Sequence, residues 1–330
     1  MNSDFFQTVC SSLMLGKVKG KPKKVSGGYM HKMYRIKTDN GRQYAIKLLN
    51  PMIMQREDAF ENYRLAEELE RKLQQSGISV IPALEFNHKK MQCIHNQYFY
   101  VFNWVNGKSL KAGKIKEKHC AVMGKTLAQI HNIECRAEYS KKQEVVIDWD
   151  FYIEKSKKDC TEITALLTGN RELLYSSAKN GNQAFKQLPE VSCISNGDMD
   201  SKNVLWENHK PFIIDLECLN YGNPYTEMFQ LALCWCGYPH CKINYNLLGA
   251  FFRAYLQESD LAYDLNWEAL YYSNIGRLEW LEYNIKRALF IECADREEQK
   301  LGIEQVKETV NHIVYYEKVK KELLDFLNHI

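Results

Sequence analysis

Long hydrophobic runs are missing from this sequence of 330 residues. No apolar stretch reaches the roughly 20 residues that are needed to span a bilayer. The first ten residues, MNSDFFQTVC, also lack the basic region and the apolar core of a secretory signal peptide. The eleven cysteines are spread along the chain without a compact framework, which is typical of reduced thiols. We therefore expect a cytoplasmic protein without a membrane-spanning segment.

The sequence also lacks a large excess of positive or negative charge. The 44 basic and 41 acidic residues are interspersed and leave a net charge of +3. A surface without a strong field of either sign gives no reason to expect nucleic acid or a membrane as a partner. The hydrophobic content of 45% and the charged content of 26% are ordinary for a globular protein. The length suits two domains with a sizeable core, and the sequence does not indicate an oligomeric state.

The most informative stretch reads SNGDMDSKNVLWENHKPFIIDLE and occupies residues 195–217. In it, Asp198 precedes Asn203 by five positions, and Asp215 follows twelve positions later. Kinase-type phosphoryl transfer uses these residue types in this order. A carboxylate accepts the proton of the acceptor hydroxyl, an amide oxygen binds one metal ion, and a second carboxylate binds the metal that bridges the phosphates. The alternative is that Asp198 and Asn203 only cap a turn.

Two short apolar runs follow Asn203 in this stretch, at residues 204–206 and 212–214. Alternating apolar runs on either side of a polar turn are typical of a β-hairpin. We expect such a hairpin to direct the side chains of Asn203 and Asp215 towards the same point.

The stretch resembles the aminoglycoside phosphotransferase and choline kinase superfamily, whose usual loop is H-G-D-x-x-x-x-N followed by I-D-[WFL]-E. Asn196 stands where the family usually has histidine. Asparagine can also donate and accept hydrogen bonds, so we expect it to brace the loop in the same way. The resemblance implies an α+β, bilobal protein-kinase-like fold, with a small β-rich N-terminal lobe at residues 1–105 and a larger, mainly helical lobe at residues 106–330.

The N-terminal third contains the residues that would contact the nucleotide. An Asp-Asn-Gly turn at residues 39–41 predicts a hairpin between MYRIKT and QYAIKLL. Lys47, in Tyr-Ala-Ile-Lys, is similar to the V-A-I-K lysine of kinases, which pairs with phosphates and with a glutamate on the next helix. A surface lysine on an edge strand is the alternative. One hairpin earlier, a turn whose backbone N–H groups could approach phosphate consists of Ser26, Gly27 and Gly28.

The glutamate that pairs with Lys47 should lie on the helix that we predict over residues 55–76, before Gly77. The apolar stripe of this helix consists of Ala59, Tyr63, Ala66, Leu69 and Leu73. Glu67 borders the stripe and is our preferred partner for Lys47, with Glu61 and Glu70 as alternatives.

A hinge between the lobes is predicted where the strand QYFYVFNWV ends at Asn-Gly-Lys, residues 106–108. By analogy with kinases, the purine edge would be read there by backbone groups of Asn103, Trp104 and Val105. Core packing is an equally good explanation of Trp104.

Several features of the C-terminal part are interpreted as structural. The Gly-Lys-Thr at residues 124–126 is no phosphate-binding loop, because His119 stands where G-x-x-x-x-G-K-T needs glycine. His131 is interpreted as a core histidine, and Glu227 as a residue that holds the loop or caps a helix. The closely spaced cysteines at 234 and 236 lie in an apolar helical segment, where thiols pack as small hydrophobic groups. For the acceptor pocket, candidate acidic residues are Glu279, Glu282 and Asp295.

The resemblance implies a phosphotransferase that moves the γ-phosphate of ATP or GTP to a hydroxyl of a small molecule, either aminoglycoside-like or an amino alcohol. Lys47 would position the phosphates, Asn203 and Asp215 would bind Mg²⁺, and Asp198 would take the proton of the acceptor. One alternative is a nucleotide-binding regulatory module without transfer activity, which Asn196 alone supports. Another is a protein kinase, against which no D-F-G or A-P-E follows Asp215.

Overall fold

The computed structural model describes residues 3–25, 30–136, 144–261 and 265–330. The turn Ser26-Gly27-Gly28, which we expected to approach phosphate, lies outside these residues. The strands in chain order are β1 (Lys23–Val25), β2 (Lys32–Lys37), β3 (Gln43–Leu48), β4 (Gln92–Ile94), β5 (Gln97–Asn103), β6 (Lys108–Ser109), β7 (Cys135–Arg136), β8 (Ser192–Ser195), β9 (Val204–Glu207), β10 (Lys210–Ile213) and β11 (Asn220–Gly222). The helices are α1 (Ser3–Ser12), α2 (Pro51–Met54), α3 (Ala59–Gln75), α4 (Glu117–Ile133), α5 (Trp149–Asp159), α6 (Thr161–Gly169), α7 (Arg171–Phe185), α8 (Pro224–Trp235), α9 (Tyr245–Glu258), α10 (Trp267–Ser273), α11 (Gly276–Ala288) and α12 (Arg296–Leu327).

The chain forms two compact units. The first consists of the chain up to Leu110 together with Ser201–Asn220, and the second of Lys111–Asp200 together with the chain from Tyr221 onwards. We expected residues 201–220 in the second domain, but they pack with the first unit. The reason is backbone pairing, because β9 pairs with β6 and the N–H of Ile81 donates to the carbonyl of Ile213 at 2.8 Å.

The first unit is built on an antiparallel sheet with the strand order β1-β2-β3-β5-β4. The hairpin that we predicted around residues 39–41 is confirmed, since Lys37 lies opposite Gln43 across the turn. Gly41 adopts a φ of 80°, which glycine tolerates without strain. Side chains alternate between the faces of β3. Ile46 packs with α1 on one face, and Ala45 packs with α3 on the other.

Helix α3 covers the second face of this sheet. All five residues of the predicted apolar stripe are buried, so that prediction is confirmed. The helix begins at Ala59 rather than at residue 55, because Pro51–Met54 forms a separate short helix. It ends before Gly77, whose φ of 78° is unfavourable for residues with a side chain.

The second unit is mainly helical, and the packing of α4 against α9 explains the glycine of the Gly-Lys-Thr segment. Gly124 lies inside α4, where a Cβ atom would stand 2.3 Å from the carbonyl oxygen of Phe251 in α9. Only glycine permits this approach, so Gly124 serves helix packing. A separate apolar cluster around Trp149 joins α5, α6, α7, α11 and α12. In the part of the chain that the structure describes, no helix has an apolar stretch that could cross a bilayer.

Candidate functional site

The hairpin of β9 and β10 brings two of the sequence-predicted residues to the same end of the first unit. Val204 lies opposite Ile213 in the register, and the N–H of Ile214 donates to the carbonyl of Asn203 at 2.9 Å. Asn203 therefore stands beside the backbone that leads into Asp215. The predicted hairpin is confirmed.

Asp215 adopts an unusual backbone conformation. Its φ of 64° and ψ of 59° place it in the left-handed helical region, which aspartate visits more readily than most residues with a side chain. Such a conformation costs on the order of 1–3 kcal/mol and is concentrated at functional sites. A 3₁₀ turn, Leu216–Cys218, starts directly after it. This sharp change of direction lets the carboxylates of both Asp215 and Glu217 reach the same lysine.

That lysine is Lys47. Its Nζ lies 2.6 Å from Oδ1 of Asp215 and 2.7 Å from Oε1 of Glu217. The residue is only 4% exposed, and β3 lies between β2 and β5. The alternative of a surface lysine on an edge strand is therefore wrong.

The three charged groups shift one another's pKa values. Burial alone would lower the pKa of Lys47, but the carboxylates of Glu217 and Asp215 hold it above its usual range. Burial would raise the pKa of Asp215, yet the positive charge of Lys47 holds it well below its usual range. Burial raises the pKa of Glu217 to about 8 against the attraction of Lys47, with the Asp215 charge adding to the rise. The cluster is therefore a buried Lys47–Asp215 ion pair beside Glu217, which is the carboxyl group of the two that takes up a proton more readily.

Glu67 does not take the place that we predicted for it. Its Oε1 accepts hydrogen bonds from the hydroxyl of Tyr100 at 2.9 Å and from the N–H of Met91 at 3.2 Å. Tyr100 stands directly opposite Lys47 in the β3–β5 register, so its hydroxyl reaches Glu67 on the same face of the sheet. The carboxylates that contact Lys47 are those of Asp215 and Glu217.

The two alternatives to Glu67 are also accounted for. Glu70 is buried in an ion pair with Lys90, and Glu61 is exposed. The signal for Glu217 was present in the sequence as the glutamate of Asp-Leu-Glu, but its spacing from Asp215 alone did not indicate a contact with Lys47.

His31 is a further titratable group near this cluster, partly buried, and we had no reason to expect it from the sequence. Its Nδ1 accepts a hydrogen bond from the N–H of Asn50 at 3.0 Å, and its Nε2 lies 3.1 Å from the hydroxyl of Tyr63. Because Nδ1 is used as an acceptor, a second proton on the ring would break this hydrogen bond. Burial and the charge of Lys47 lower the pKa of His31 to about 3.

This shift predicts a pH dependence of stability. At pH values between the ordinary histidine pKa of about 6.5 and the lower pKa of folded His31, this side chain binds a proton in the unfolded chain but not in the folded chain. The free energy of unfolding should therefore fall as the pH falls through 6.5, by up to about 1.4 kcal/mol per pH unit from this group. Urea unfolding of the wild type and of His31→Gln at several pH values measures the effect. A difference between the two proteins that stays constant from pH 7 to pH 5 would contradict it.

The predicted hinge residues lie at the end of β5. Asn103 pairs with Tyr44 of β3, and the N–H of Trp104 donates to the carbonyl of Gln43 at 3.1 Å. The indole ring of Trp104 is half-buried against the apolar cluster under α3, with the guanidinium of Arg35 at 4.3 Å from its centroid. Core packing therefore accounts for the position of Trp104. Purine recognition by the backbone of Asn103, Trp104 and Val105 stays a prediction.

Asp198 belongs to the second unit, where it follows β8 in a loop that is tied down through its backbone. The N–H groups of Asn196 and Gly197 donate to Oε1 of Glu227 at 2.8 and 2.9 Å. Nε2 of His131 lies 3.0 Å from the other oxygen of that carboxylate. The sequence left open whether Glu227 holds the loop or caps a helix, and the structure shows that it holds the loop.

The Glu227 carboxylate is ionised in this setting. Burial raises its pKa, but the hydrogen bonds from His131, Ser195 and Gly197 outweigh burial and hold the pKa below its usual range. His131 is fully buried and its Nδ1 lies 2.7 Å from the hydroxyl of Tyr255. The interpretation of His131 as a satisfied core histidine is confirmed.

Asn196 does not brace the loop with its side chain as we expected. The residue is 1% exposed, and among the described residues its side-chain nitrogen and oxygen have no hydrogen-bond partner. An asparagine amide is shorter than an imidazole, and the nearby acceptor, Glu227, is already used by backbone N–H groups and by His131. Glu227 therefore holds the loop in place, a role that we expected for the side chain of Asn196.

A cavity of about 220 Å³ opens beside this loop within the second unit. The polar residues in its wall include Asp198, Asp200, Gln230, Tyr238, Asn274 and Arg277. None of the acidic residues suggested for the acceptor pocket lines it. Glu282 accepts from the hydroxyl of Tyr152, Asp295 caps α12, and Glu279 is exposed.

Comparisons with known proteins bear on the family and on the fold. The family model described as the phosphotransferase enzyme family matches residues 21–271. Among solved structures, spectinomycin phosphotransferase in complex with ADP and spectinomycin has a TM-score of 0.68 at 14% identity, covering 96% of this chain and 99% of that one. Amicoumacin kinase in complex with AMP-PNP, Ca²⁺ and its substrate has a TM-score of 0.61 at 15% identity, covering 93% of each chain.

A choline/ethanolamine kinase family protein from Mesorhizobium loti has a TM-score of 0.58 at 16% identity, covering 96% of this chain and 99% of that one. Among curated protein sequences, none matches the chain. The structural neighbours confirm the predicted α+β, bilobal protein-kinase-like fold.

Proposed function

Since the chain belongs to the phosphotransferase enzyme family, we propose that it transfers the γ-phosphoryl group of ATP or GTP to a hydroxyl group of a small molecule. The observation that carries the proposal is the buried contact between Lys47 and Asp215, combined with Asn203 at the same end of the β9–β10 hairpin. Kinase-type transfer uses a lysine, an amide and a carboxylate of this kind to hold the phosphates and their metal ions.

The nucleotide phosphates are assigned to Lys47. Its ammonium is kept charged by Asp215 and Glu217, and its direction is fixed before any nucleotide arrives. A charged phosphate oxygen can accept a hydrogen bond from this ammonium, and such charge-assisted hydrogen bonds are strong. Glu67, which holds the hydroxyl of Tyr100, supports the packing of the sheet face that carries Lys47.

The metal ion is assigned to Asn203 and Asp215. Their amide and carboxylate oxygens are hard ligands of the kind that Mg²⁺ prefers, and Mg²⁺ usually takes only one or two protein ligands beside water and substrate phosphates. The side chain of Asp215 keeps 35% of its surface exposed, against 5% for Lys47 and 11% for Glu217. Asp215 is therefore the member of the cluster that an ion can reach. Bound there, Mg²⁺ would neutralise charge on the phosphates.

The acceptor hydroxyl is assigned to Asp198. Asp198 lines the cavity of the second unit, and its loop is fixed through Glu227. A positioned carboxylate of this kind can orient the hydroxyl and accept its proton. Spectinomycin, amicoumacin and choline appear in the names of the structural neighbours, so aminoglycoside-like compounds and amino alcohols are the acceptor classes that we propose.

The test is release of ADP or GDP with each nucleotide in turn, against a panel of aminoglycosides and amino alcohols. We expect release that depends on one acceptor class, stops when Mg²⁺ is chelated and resumes when it is returned. Asn203→Ala should raise the Mg²⁺ concentration for half-maximal rate by at least about tenfold, a typical cost even for a residue that only supports a metal ligand.

The matched control is Asn208→Gly in the turn of the same hairpin. Asn208 is exposed and has a φ of 49°, which glycine also adopts. This variant should keep the Mg²⁺ dependence of the wild type. Release of ADP or GDP at a rate that does not depend on Mg²⁺ would contradict the metal assignment. An equal change in the Mg²⁺ requirement of both variants would also contradict it.

A further inference from the structure

Arg277 is a positively charged residue in the wall of the cavity that Asp198 also lines. It is the second residue of α11 and forms part of the cavity wall. Its guanidinium contacts Nδ1 of His312 at 3.2 Å and stacks over the ring of Tyr238 at 4.4 Å from the centroid. Within the described residues, it forms no ion pair with an aspartate or glutamate.

His312 orients Arg277 without neutralising it. Nε2 of His312 lies 2.8 Å from the carbonyl oxygen of Pro239, so that nitrogen carries the ring proton and donates it. Nδ1 is then the acceptor for the guanidinium of Arg277. Burial and the charge of Arg277 lower the pKa of His312, which keeps the imidazole neutral. The charge of the guanidinium is therefore left for a ligand.

Two other arginines of the second unit lie over a tyrosine ring and also pair with a carboxylate. Arg171 lies over the ring of Tyr175 and binds both carboxylate oxygens of Asp150. Arg136 lies over the ring of Tyr221 and pairs with Glu134 at 2.7 Å. Both stack on a tyrosine as Arg277 does, and both have a carboxylate partner. Arg277 has no such carboxylate partner among the described residues, and it lies in the wall of the cavity.

We propose that the acceptor is a small hydroxy acid, with hydroxy amino acids included, whose carboxylate is bound by Arg277 while its hydroxyl faces Asp198. This inference rests on the proposed phosphotransferase function. A single guanidinium matches the single charge and the planar fork of a carboxylate. A cavity of about 220 Å³ is below the roughly 300–1,000 Å³ of drug-sized ligands, which favours a small acceptor over a multi-ring aminoglycoside.

The reaction then balances without a further reactant. The hydroxyl oxygen of the acid forms a bond to the γ-phosphorus, and the bond from that phosphorus to the bridging oxygen breaks. The electron pair of the broken bond stays on the nucleoside diphosphate, and the hydroxyl proton passes to Asp198. The product is a phosphomonoester of the hydroxy acid. Arg277 contacts the substrate away from the reacting atoms and determines specificity.

The experiment compares acceptors that differ by the carboxylate. L-Serine is paired with ethanolamine, L-homoserine with 3-aminopropan-1-ol, and D-glycerate with ethylene glycol. In the wild type with Mg²⁺ and the active nucleotide, kcat/KM for at least one acid should exceed that of its partner by about 30-fold or more, as expected for a paired, buried charge. Arg277→Gln should raise KM for the acid and remove the preference. Arg277→Lys, which keeps the charge but loses the fork, should retain part of it.

The control is Arg171→Gln, which removes an arginine stacked on a tyrosine away from the cavity and should keep the preference of the wild type. Thermal unfolding of every variant shows whether it folds. Calorimetric titration of each acid into the complex with Mg²⁺ and a non-hydrolysable nucleotide measures binding independently of turnover. Binding that the wild type shows and Arg277→Gln loses would support the inference.

The outcomes that overturn the inference differ from those that overturn the proposed function. Amino alcohols or aminoglycosides that are phosphorylated as well as the acids, with no change in Arg277→Gln, would overturn the hydroxy acid and leave the phosphotransferase intact. A wild type that neither phosphorylates nor binds any acid would likewise overturn it. A failure to transfer phosphate to every acceptor in either panel would contradict the proposed function itself.

Discussion

Replacing Asp198 with asparagine should lower kcat by about 10²–10⁴-fold, the usual contribution of a positioned general base. Asparagine has nearly the same shape but cannot accept the hydroxyl proton at neutral pH. The loop should keep its conformation, because Glu227 holds it through the N–H groups of Asn196 and Gly197. Lys47, Asn203 and Asp215, to which we assign the nucleotide, lie in the other unit. Nucleotide affinity should therefore stay within about threefold of the wild type, less than 1 kcal/mol.

The measurements are kcat at saturating nucleotide and acceptor, and the nucleotide dissociation constant by calorimetry. The matched control is Asp159→Asn at the end of α5, where the carboxylate pairs with Lys155 at 2.8 Å on the surface. That variant should behave as the wild type. An Asp198→Asn protein with a kcat within tenfold of the wild type would show that another group takes the proton.

Replacing Glu227 with alanine should reduce the free energy of unfolding by about 3–5 kcal/mol, because several buried donors lose their acceptor at once. The carboxylate accepts from two backbone N–H groups and contacts His131, and all of these lie in the interior of the second unit. Each buried donor left without a partner costs about 1–3 kcal/mol. Loosening the loop should also lower kcat by about 10–100-fold, since a displacement of roughly 1 Å at a reacting group has effects of this size.

Chemical denaturation and steady-state kinetics well below the unfolding temperature measure the two effects. Glu282→Ala is the control, because Glu282 also has two side-chain partners. It accepts a hydrogen bond from the hydroxyl of Tyr152 at 2.7 Å and pairs with Lys286 at 3.2 Å. It is partly exposed and holds no loop, so we expect a loss of about 1 kcal/mol and an unchanged kcat. Equal losses in the two variants would contradict the role given to Glu227.

The sequence predicted those parts of the fold that depend on local patterns. The Asp-Asn-Gly turn at residues 39–41 and the polar turn between β9 and β10 each specify a hairpin through a few neighbouring residues, and both hairpins are present. The apolar spacing in α3 predicted its buried face. These signals suffice because hairpin registers and helix faces follow from the periodicity of side chains along the backbone.

The partners of individual charged side chains were harder to predict, because they depend on distances between elements. Periodicity placed Glu67 on the face of α3 near Lys47, but it could not show that Tyr100 stands opposite Lys47 and binds Glu67. The left-handed backbone of Asp215, which brings Glu217 to Lys47, leaves no clear mark in the sequence.

Two further features depend on contacts between segments that are distant along the chain. Residues 201–220 join the first unit through pairing with β6 and with residues 79–81. Arg277 reaches the cavity because α11 begins beside the loop that carries Asp198. The residues next to Arg277 in the sequence do not indicate that it lies in the wall of this cavity.

The most direct test of the central claim is to identify the phosphorylated product by phosphorus NMR. The wild-type protein is incubated with Mg²⁺, the nucleotide and the acceptor panel, and Asp198→Asn is treated in the same way. We predict a new phosphomonoester signal that grows in step with the nucleoside diphosphate in the wild type and is absent from the variant. Inorganic phosphate as the only new product, or an unchanged nucleotide triphosphate in the presence of every acceptor, would contradict the claim that this chain transfers phosphate to a small-molecule hydroxyl.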